Sequence, residues 1–548
     1  MKRCVQLKPY LLLSAALSLG SVQSVFAEPQ TVPEDRLDPG YESETPVIPP
    51  SDTSNLERAA ADVAPSTAPS ATIQGIQFVG AEVPAIVAAS TEPFLGRPAD
   101  TATLKELAAA MTSAYKKSNV VLFTLAIPAQ DLSDGVVDIL IAEGYVRDVI
   151  TAAEGKRIDE RRLRGYLKPV IGERPASRKN YERGMTLARR EEGFKVTPRL
   201  STLKDEPGAV ALVLNVEEKE NGFAFGYDSR ESRLVDAGRI SASGFAYSTL
   251  RRGDALRGRL TLTPDGTQSR SASVQYATPI GEDGLKFAAA GAYQETRPSS
   301  VPIEGNANFL TASLSYPVLL NFNQEVSLNA AIDRTESTNT ALGSVLANEN
   351  ISAARLGARA SWVSAKRSST LGLTLAQGLD LGDANTTVAG GDTGFTKVKA
   401  TASIVQKMGD DLFLRLKASG QWSDDILPAN ERLMIGGIEY GRGFDNGLVS
   451  FDKGYALSFE PAWRPLDEGS FAKSEVYLFA DYADGSIVVS NLGAQTFDLS
   501  SAGIGTRISY KDYATLGLEW AEPLSRPVPG LDNNGIFTVT WALRYRPD

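Results

Sequence analysis

Three patterns of hydrophobic and polar positions follow one another along this chain. From about 72 to 145, strand-like runs flank one helical face. Residues 72–79 read as a strand, and Leu104, Leu107, Ala108, Met111 and Tyr115 share a helix face behind the cap residue Asp100. Two β-branched runs, 120–127 and Val136–Glu143, are joined by the turn formers Ser133, Asp134 and Gly135. A second module of similar order is expected at 146–219. Leu163, Tyr166, Leu167 and Val170 mark one of its helices, and Tyr181, Gly184, Met185 and Ala188 mark another. It closes on a strand at 210–217, where Val210, Leu212, Leu214 and Val216 share a face. Two small α+β modules in tandem are the economical reading.

From 220 to 548 the helical period disappears, and segments of about 8 to 11 residues alternate apolar with polar between Gly/Asp/Asn/Pro turns. Phe537, Val539, Trp541, Leu543 and Tyr545 point one way, while Thr538, Thr540, Ala542, Arg544 and Arg546 point the other. Leu412, Leu414 and Leu416 likewise oppose Arg415 and Lys417. A soluble sandwich also alternates, but it rarely sustains the pattern over 329 residues without a helix. With tyrosines 276, 316 and 545 at strand ends, lipid outside and water inside is the preferred reading. At about 20 residues per strand with its connection, this length predicts about 16 strands. The expected fold class is therefore mainly β, a transmembrane antiparallel barrel preceded by two periplasmic α+β domains.

The N-terminus adds the compartment. Lys2, Arg3 and Lys8 around a short apolar run, with Val25, Phe26 and Ala27 at the cleavage position, predict a secretory signal over residues 1–27. Residues 28–71 are Pro-rich and acidic with few bulky apolar side chains, which predicts a linker. Leu56, Ala59, Ala60 and Val63 keep helical spacing, so residues 51–63 are a candidate plug helix, with a disordered tether preferred.

Composition then narrows the chemistry. The one cysteine, Cys4, lies in the predicted signal, and histidine is absent, so His- or Cys-based catalysis and zinc ligation are excluded by inventory. No cofactor or metal is expected, no paired carboxylate motif suggests an enzyme, and none is expected. Removing Lys2, Arg3 and Lys8 from 56 bases leaves 53 against 66 acids, a balance of −13 that disfavours nucleic acid as a partner.

A barrel of this width encloses water and would leak unless something occludes it. The stretch 433–447 is the most glycine-dense long loop, with Gly436, Gly437, Gly441, Gly443 and Gly447 around Arg442. Such a loop can fold into the lumen, and a single Arg can fix it to a wall carboxylate by a bidentate contact. In the stretch Val476 to Tyr482 the lipid-suited residues Val476, Leu478, Ala480 and Tyr482 turn Tyr477, Phe479 and Asp481 inward, which makes Asp481 a candidate partner. An exposed loop with a solvated Arg, and Asp481 as one lumen residue among many, fit the same pattern.

At these residues the chain resembles the two-partner secretion transporters, the outer-membrane pores that export haemolysin- and haemagglutinin-type exoproteins. Residues 127–135, with Ile127, Pro128, Gln130, Asp131 and Gly135, resemble the ending of the family's first polypeptide-transport-associated (POTRA) domain and imply a substrate-capture region. Arg442, Gly443 and Phe444 resemble the tip of the family's lumen loop, with Gly441 where an aliphatic residue is usual. Phe479, Ala480 and Asp481 resemble the wall motif that receives the Arg. The resemblance implies POTRA 1 at 72–145, POTRA 2 at 146–219 and the barrel at 220–548. It also implies an outer-membrane location and a large secreted exoprotein of adhesin or haemolysin type as partner. Membrane lipid, the barrel assembly machinery and periplasmic chaperones are further implied partners. An assembly factor of the same superfamily and a passive porin are the competing readings.

Overall fold

The computed structural model describes residues 71–545, apart from short stretches at 155–157, 204–205, 231–234, 236–237, 467, 490–492 and 529–533, and it adds the backbone of Asp62–Val63. The predicted signal lies outside the described residues. Of the candidate plug helix only Asp62 and Val63 are described, and they are extended, not helical.

The first module contains β1 (Asp62–Val63), β2 (Gly75–Val79), α1 (Ala85–Ala89), α2 (Thr101–Lys117), β3 (Phe123–Ile127) and β4 (Val136–Glu143), with sheet order β1-β3-β4-β2. Helix α2 starts where the Asp100 carboxylate accepts the Thr103 N–H at 2.7 Å. It ends with Lys116 and Lys117 on the negative end of its dipole. Its buried face, Leu104, Leu107, Ala108, Met111 and Tyr115, packs on Leu125, Val137 and Ile139 of the sheet. The five-residue α1 escapes the periodicity because it is too short to show one.

The second module contains β5 (Tyr145–Glu154), α3 (Glu160–Leu167), α4 (Arg178–Arg189), β6 (Phe194–Thr202) and β7 (Ala209–Glu218), in sheet order β5-β7-β6. Asp159 and Ser177 cap its helices. Its core includes Leu163, Tyr166, Tyr181, Met185, Leu212 and Leu214, and also two residues from beyond the module, Leu320 and Phe322 of a barrel turn. Phe322 meets Tyr181 edge to face at 6.3 Å. Around this shared core Arg183 donates to the Pro317 carbonyl at 2.8 Å, Arg190 pairs with Glu325, and Glu192 accepts from Arg257 and Lys286. The second module is thus docked on one end of the barrel through several turns.

Among the described residues the barrel closes with sixteen antiparallel strands, from Gly222–Asp228 to Ile536–Tyr545. Closure leaves no unpaired strand edge in lipid. Alternation directs the side chains as period two requires: Leu478, Leu516, Phe537 and Leu543 face outward, whereas Tyr477, Phe479, Thr515, Glu519 and Thr538 are buried inside. The seam between first and last strands is short, six residue pairs from Thr540 opposite Asp228 to Tyr545 opposite Phe223.

Candidate functional site: a loop pinned in the barrel lumen

Asp481 lies mid-strand in Glu475–Val489, opposite Ser458 on one side and Ser501 on the other. Two residues before it on the same lumen face, Phe479 pairs with Gly503, and Tyr477 pairs with Gly505. Both rings lie flat against the wall where a neighbouring Cβ would stand; a side chain at Gly503 would meet the Phe479 ring at 2.5 Å. Small residues on one strand therefore seat aromatic rings from the next.

The connection between the strands Leu412–Ser423 and Lys453–Trp463 folds inward. Its stem is a two-stranded hairpin, Leu433–Ile435 with Val449–Phe451. Phe451 is fully buried and packs over Gly454 and Gly485 of the wall. Leu433, Ile435, Phe444, Leu448 and Val449 form an apolar cluster with Ala456, Ala483 and Leu499 of the wall, so a hydrophobic contact holds the hairpin inside the lumen. Gly441 has φ +76°, a conformation in which an aliphatic side chain is strained, and its carbonyl accepts from Phe444 and Gly437. Gly443 passes so close to the strand Ala514–Pro523 that an added Cβ would lie 2.8 Å from the Pro523 nitrogen.

These turns deliver Arg442 to the wall. Its Nε and Nη2 donate to the two Asp481 oxygens at 3.0 and 2.9 Å, and its backbone N–H adds a third bond to Asp481 at 3.0 Å. Nη1 donates to Glu460 at 2.7 Å and lies 3.6 Å from Glu519, while Nη2 also donates to Ser458 at 3.0 Å. The guanidinium stacks on Phe479 with Cζ 3.6 Å from the ring centroid. Both charged side chains are almost fully shielded, 5% exposed for Arg442 and 0% for Asp481. Breaking such a buried pair by removing one member typically costs about 3–5 kcal/mol, because the other charge stays buried.

A wider ionic layer supports this contact. Glu460 also accepts from Arg415 at 2.9 Å and Arg507 at 2.7 Å, and the same two arginines reach Glu475. Arg464 donates to Glu475 at 3.0 Å, Arg507 stacks on Tyr477 at 3.8 Å, and the Tyr477 hydroxyl donates to Glu519 at 2.8 Å. Acids and bases alternate through the layer, so no charge is left uncompensated when Arg442 is in place.

The structure thus brings Gly441, Arg442, Gly443 and Phe444 together with Phe479 and Asp481. Alternation turns Arg415 inward, but the sequence does not assign Ser458, Glu460, Glu519, Arg415 or Arg507 to this contact. Their signal was present, since Ser458 and Glu460 alternate with Leu457 and Phe459, but which inward acid meets the loop depends on barrel register.

The string 127–135 forms a separate feature in the first module. Ile127 is buried at the end of β3. The Gln130 side chain donates to the Asp138 carbonyl at 2.8 Å and accepts the Asp138 N–H at 2.7 Å, imitating a strand partner. Asp131 accepts the Ser133 N–H, and Gly135 takes φ +74° with its carbonyl receiving the Gln74 N–H. Pro128 precedes this turn. These polar groups brace the β3–β4 connection. Beside it, β1 adds in parallel to the outer edge of β3, with Asp62 opposite Ala126 and Val63 opposite Ile127.

Comparison with known proteins agrees with this architecture. Residues 210–508 match the family described as haemolysin secretion/activation protein ShlB/FhaC/HecB, and residues 71–144 match the ShlB-type POTRA domain. The heme/hemopexin transporter protein HuxB of Haemophilus influenzae (strain 86-028NP) is 20% identical over 457 residues, covering 80% of this chain and 81% of that protein. Among solved structures, CdiB from Escherichia coli superposes with a TM-score of 0.64 at 17% identity, and CdiB from Acinetobacter baumannii with 0.60 at 17%. Each covers 99% of this chain and 100% of that one. BamA from Haemophilus ducreyi lacking POTRA domains 1-3 shares the fold at a TM-score of 0.54 and 13% identity, over 86% of this chain and all of that one. With a sixteen-stranded barrel, modules at its periplasmic end and a family match over more than half of its length, the chain belongs to the ShlB/FhaC/HecB haemolysin secretion/activation family, the outer-membrane transporters of two-partner secretion.

Proposed function

We propose that this transporter takes an unfolded exoprotein at its POTRA sheet edges and releases it outward through a pore latched by Arg442 on Asp481. The capturing part is the stretch 127–135 with the outer edge of β3, and the cargo is a large secreted exoprotein of adhesin or haemolysin type. Within this reading, residues 1–27 are a secretory signal, 28–71 a linker, and the domain borders fall at 145 and 219. The barrel assembly machinery and periplasmic chaperones act as partners in biogenesis and delivery, and the chain is not an enzyme.

The observation that carries the latch is the buried Arg442–Asp481 pair, which ties a loop occupying the lumen to the wall through three hydrogen bonds. Capture by strand addition is supported by β1, the two-residue edge strand from the stretch before residue 72, which adds to β3 through backbone pairing. Gln130, Asp131 and Gly135 keep that edge in shape; the edge offers the cargo its unpaired backbone groups once β1 leaves.

Arg442→Ala tests the latch. The barrel is expected to reach the membrane folded, as read by heat-modifiable gel mobility, while the exoprotein in the culture supernatant falls about tenfold or more. Export is expected to fall because a loop without its tip contact no longer holds the one position from which cargo can displace it in order. Undiminished export by a folded Arg442→Ala barrel would remove the latch from the reading.

A further inference from the structure

The lumen loop has a second attachment that none of the residues above belongs to. Immediately before the hairpin, the short 3₁₀ turn Ala429–Glu431 lies against another arc of the barrel, formed by the strands Gln324–Ala341, Ser344–Val363 and Thr396–Met408. Glu431, 4% exposed, accepts from Arg355 Nη2 at 2.7 Å and pairs with Lys397 Nζ at 2.6 Å. The same ammonium donates to the Glu431 backbone carbonyl at 2.6 Å. Arg355 is held from behind by Asp333 through two bonds of 2.7 and 2.8 Å. The start of the turn is also bound: Glu349 accepts the Ala429 N–H at 3.1 Å, and Asn430 Nδ2 donates to Ser337 at 3.3 Å.

Charge balance makes this attachment specific to the loop. With Glu431 in place the cluster holds two acids, Asp333 and Glu431, and two bases, Arg355 and Lys397. Withdrawing the loop takes Glu431 from both cations and leaves Asp333 as the ion-pair partner of Arg355, while Glu349 on the same arc loses the turn's N–H donors. Among the described residues no hydrogen bond or ion pair joins this cluster to Asp481 or Glu460, the acids that hold the tip. The loop is accordingly a strap tied to the wall by ion pairs at two places, its root on one arc and its tip on another, with the apolar contact of the hairpin between them.

We propose that Glu431, with Arg355 and Lys397, is a second anchor of the lumen loop, and that a translocating polypeptide must free the loop from this anchor as well as from Asp481. The proposal rests on export through the barrel, but the anchor itself is measurable without cargo. Glu431 is a positioning residue: it holds the loop that fills the lumen.

Two measurements on the full chain test it. In planar bilayers, purified Glu431→Gln protein is expected to open several-fold more often than the parent, with Glu431→Asp closer to the parent because it keeps the charge. A Glu431→Gln barrel with parental conductance overturns the anchor. The second uses Asn430→Cys with Ser337→Cys in a Cys4→Ser background, which leaves no other thiol in the chain. Oxidation to the disulfide, scored by a gel-mobility shift, is expected to stop export, and reductant is expected to restore it. Continued export with the tether formed overturns the requirement for release. Should Glu431→Gln fail to fold, the tethered pair decides alone. Should the parent export nothing, the transport reading fails, and bilayer conductance still decides the anchor.

Discussion

At the scale of single residues, Arg442 is defined by the number of directions in which it is held: two Asp481 oxygens, Glu460, Ser458 and the face of Phe479. An ammonium cannot reproduce a planar fork that is stacked on a ring. Arg442→Lys is therefore expected to behave closer to Arg442→Ala than to the parent in supernatant exoprotein, and full export by the Lys variant would contradict the geometry. The seat of Phe479 gives a second prediction. Gly503→Ala pushes a methyl group into the Phe479 ring and the Trp520 carbonyl, so the ring must leave its place under the guanidinium. Lower thermal stability of the barrel, by about 1–3 kcal/mol, and more frequent channel openings are the expected results. The sequence made Phe479 and Asp481 inward-facing by alternation alone. It could not tell which inward acids of other strands, Glu460 and Glu519, reach Arg442.

Among elements, the outer edge of β3 is where local pattern and tertiary pairing diverge. Val63 fits a helical stripe with Leu56, Ala59 and Ala60, yet its backbone pairs with Ile127. Four residues of helical spacing contribute little by themselves, because short helices are marginal in water, whereas an exposed strand edge offers unpaired amide and carbonyl groups. Replacing Asp62 and Val63 by prolines removes their N–H donors and is expected to free the edge. Binding of an unfolded exoprotein segment to the isolated first module should then tighten several-fold by fluorescence anisotropy if capture uses β3; unchanged affinity would point to another edge. The strands β5 and β6 are not predicted from the sequence, because β5 follows β4 after Gly144 alone and β6 carries Pro198, which argues against a strand.

For the whole molecule, the second module is docked on one end of the barrel, which under the proposed reading sets where a captured chain would be delivered. Phe322 enters the module's core, and Glu192 faces Arg257 and Lys286 of the barrel. Burial pushes the Glu192 carboxyl up, but the Lys286 ammonium and the Arg257 guanidinium more than offset it and hold it below the usual range. A carboxylate depressed in the docked state contributes docking energy above its free value, about 4.3, and loses it as pH falls through the lower docked value. Docking is therefore expected to be constant from about pH 8 to 5 and to loosen below about pH 4. A spin-label distance between the second module and the barrel would follow this, and Glu192→Gln should show the acid behaviour at neutral pH. A distance that lengthens instead as pH rises would contradict the sign.

The sequence by itself determined the order of things: two α+β modules, then a barrel of about sixteen strands, because periods of 3.6 and 2 are written locally, and closure in the structure set the number at sixteen. It also determined which way each barrel side chain points, since one face must suit lipid. Only the tertiary structure decided the pairings between distant segments: Arg442 with Glu460 as well as Asp481, Glu431 with Arg355 and Lys397, Phe322 with Tyr181. The physical reason is register. Strand alternation says that a residue faces the lumen, but its height and its neighbour across the lumen follow from the stagger of sixteen closed strands and the path of one loop. No local pattern encodes those.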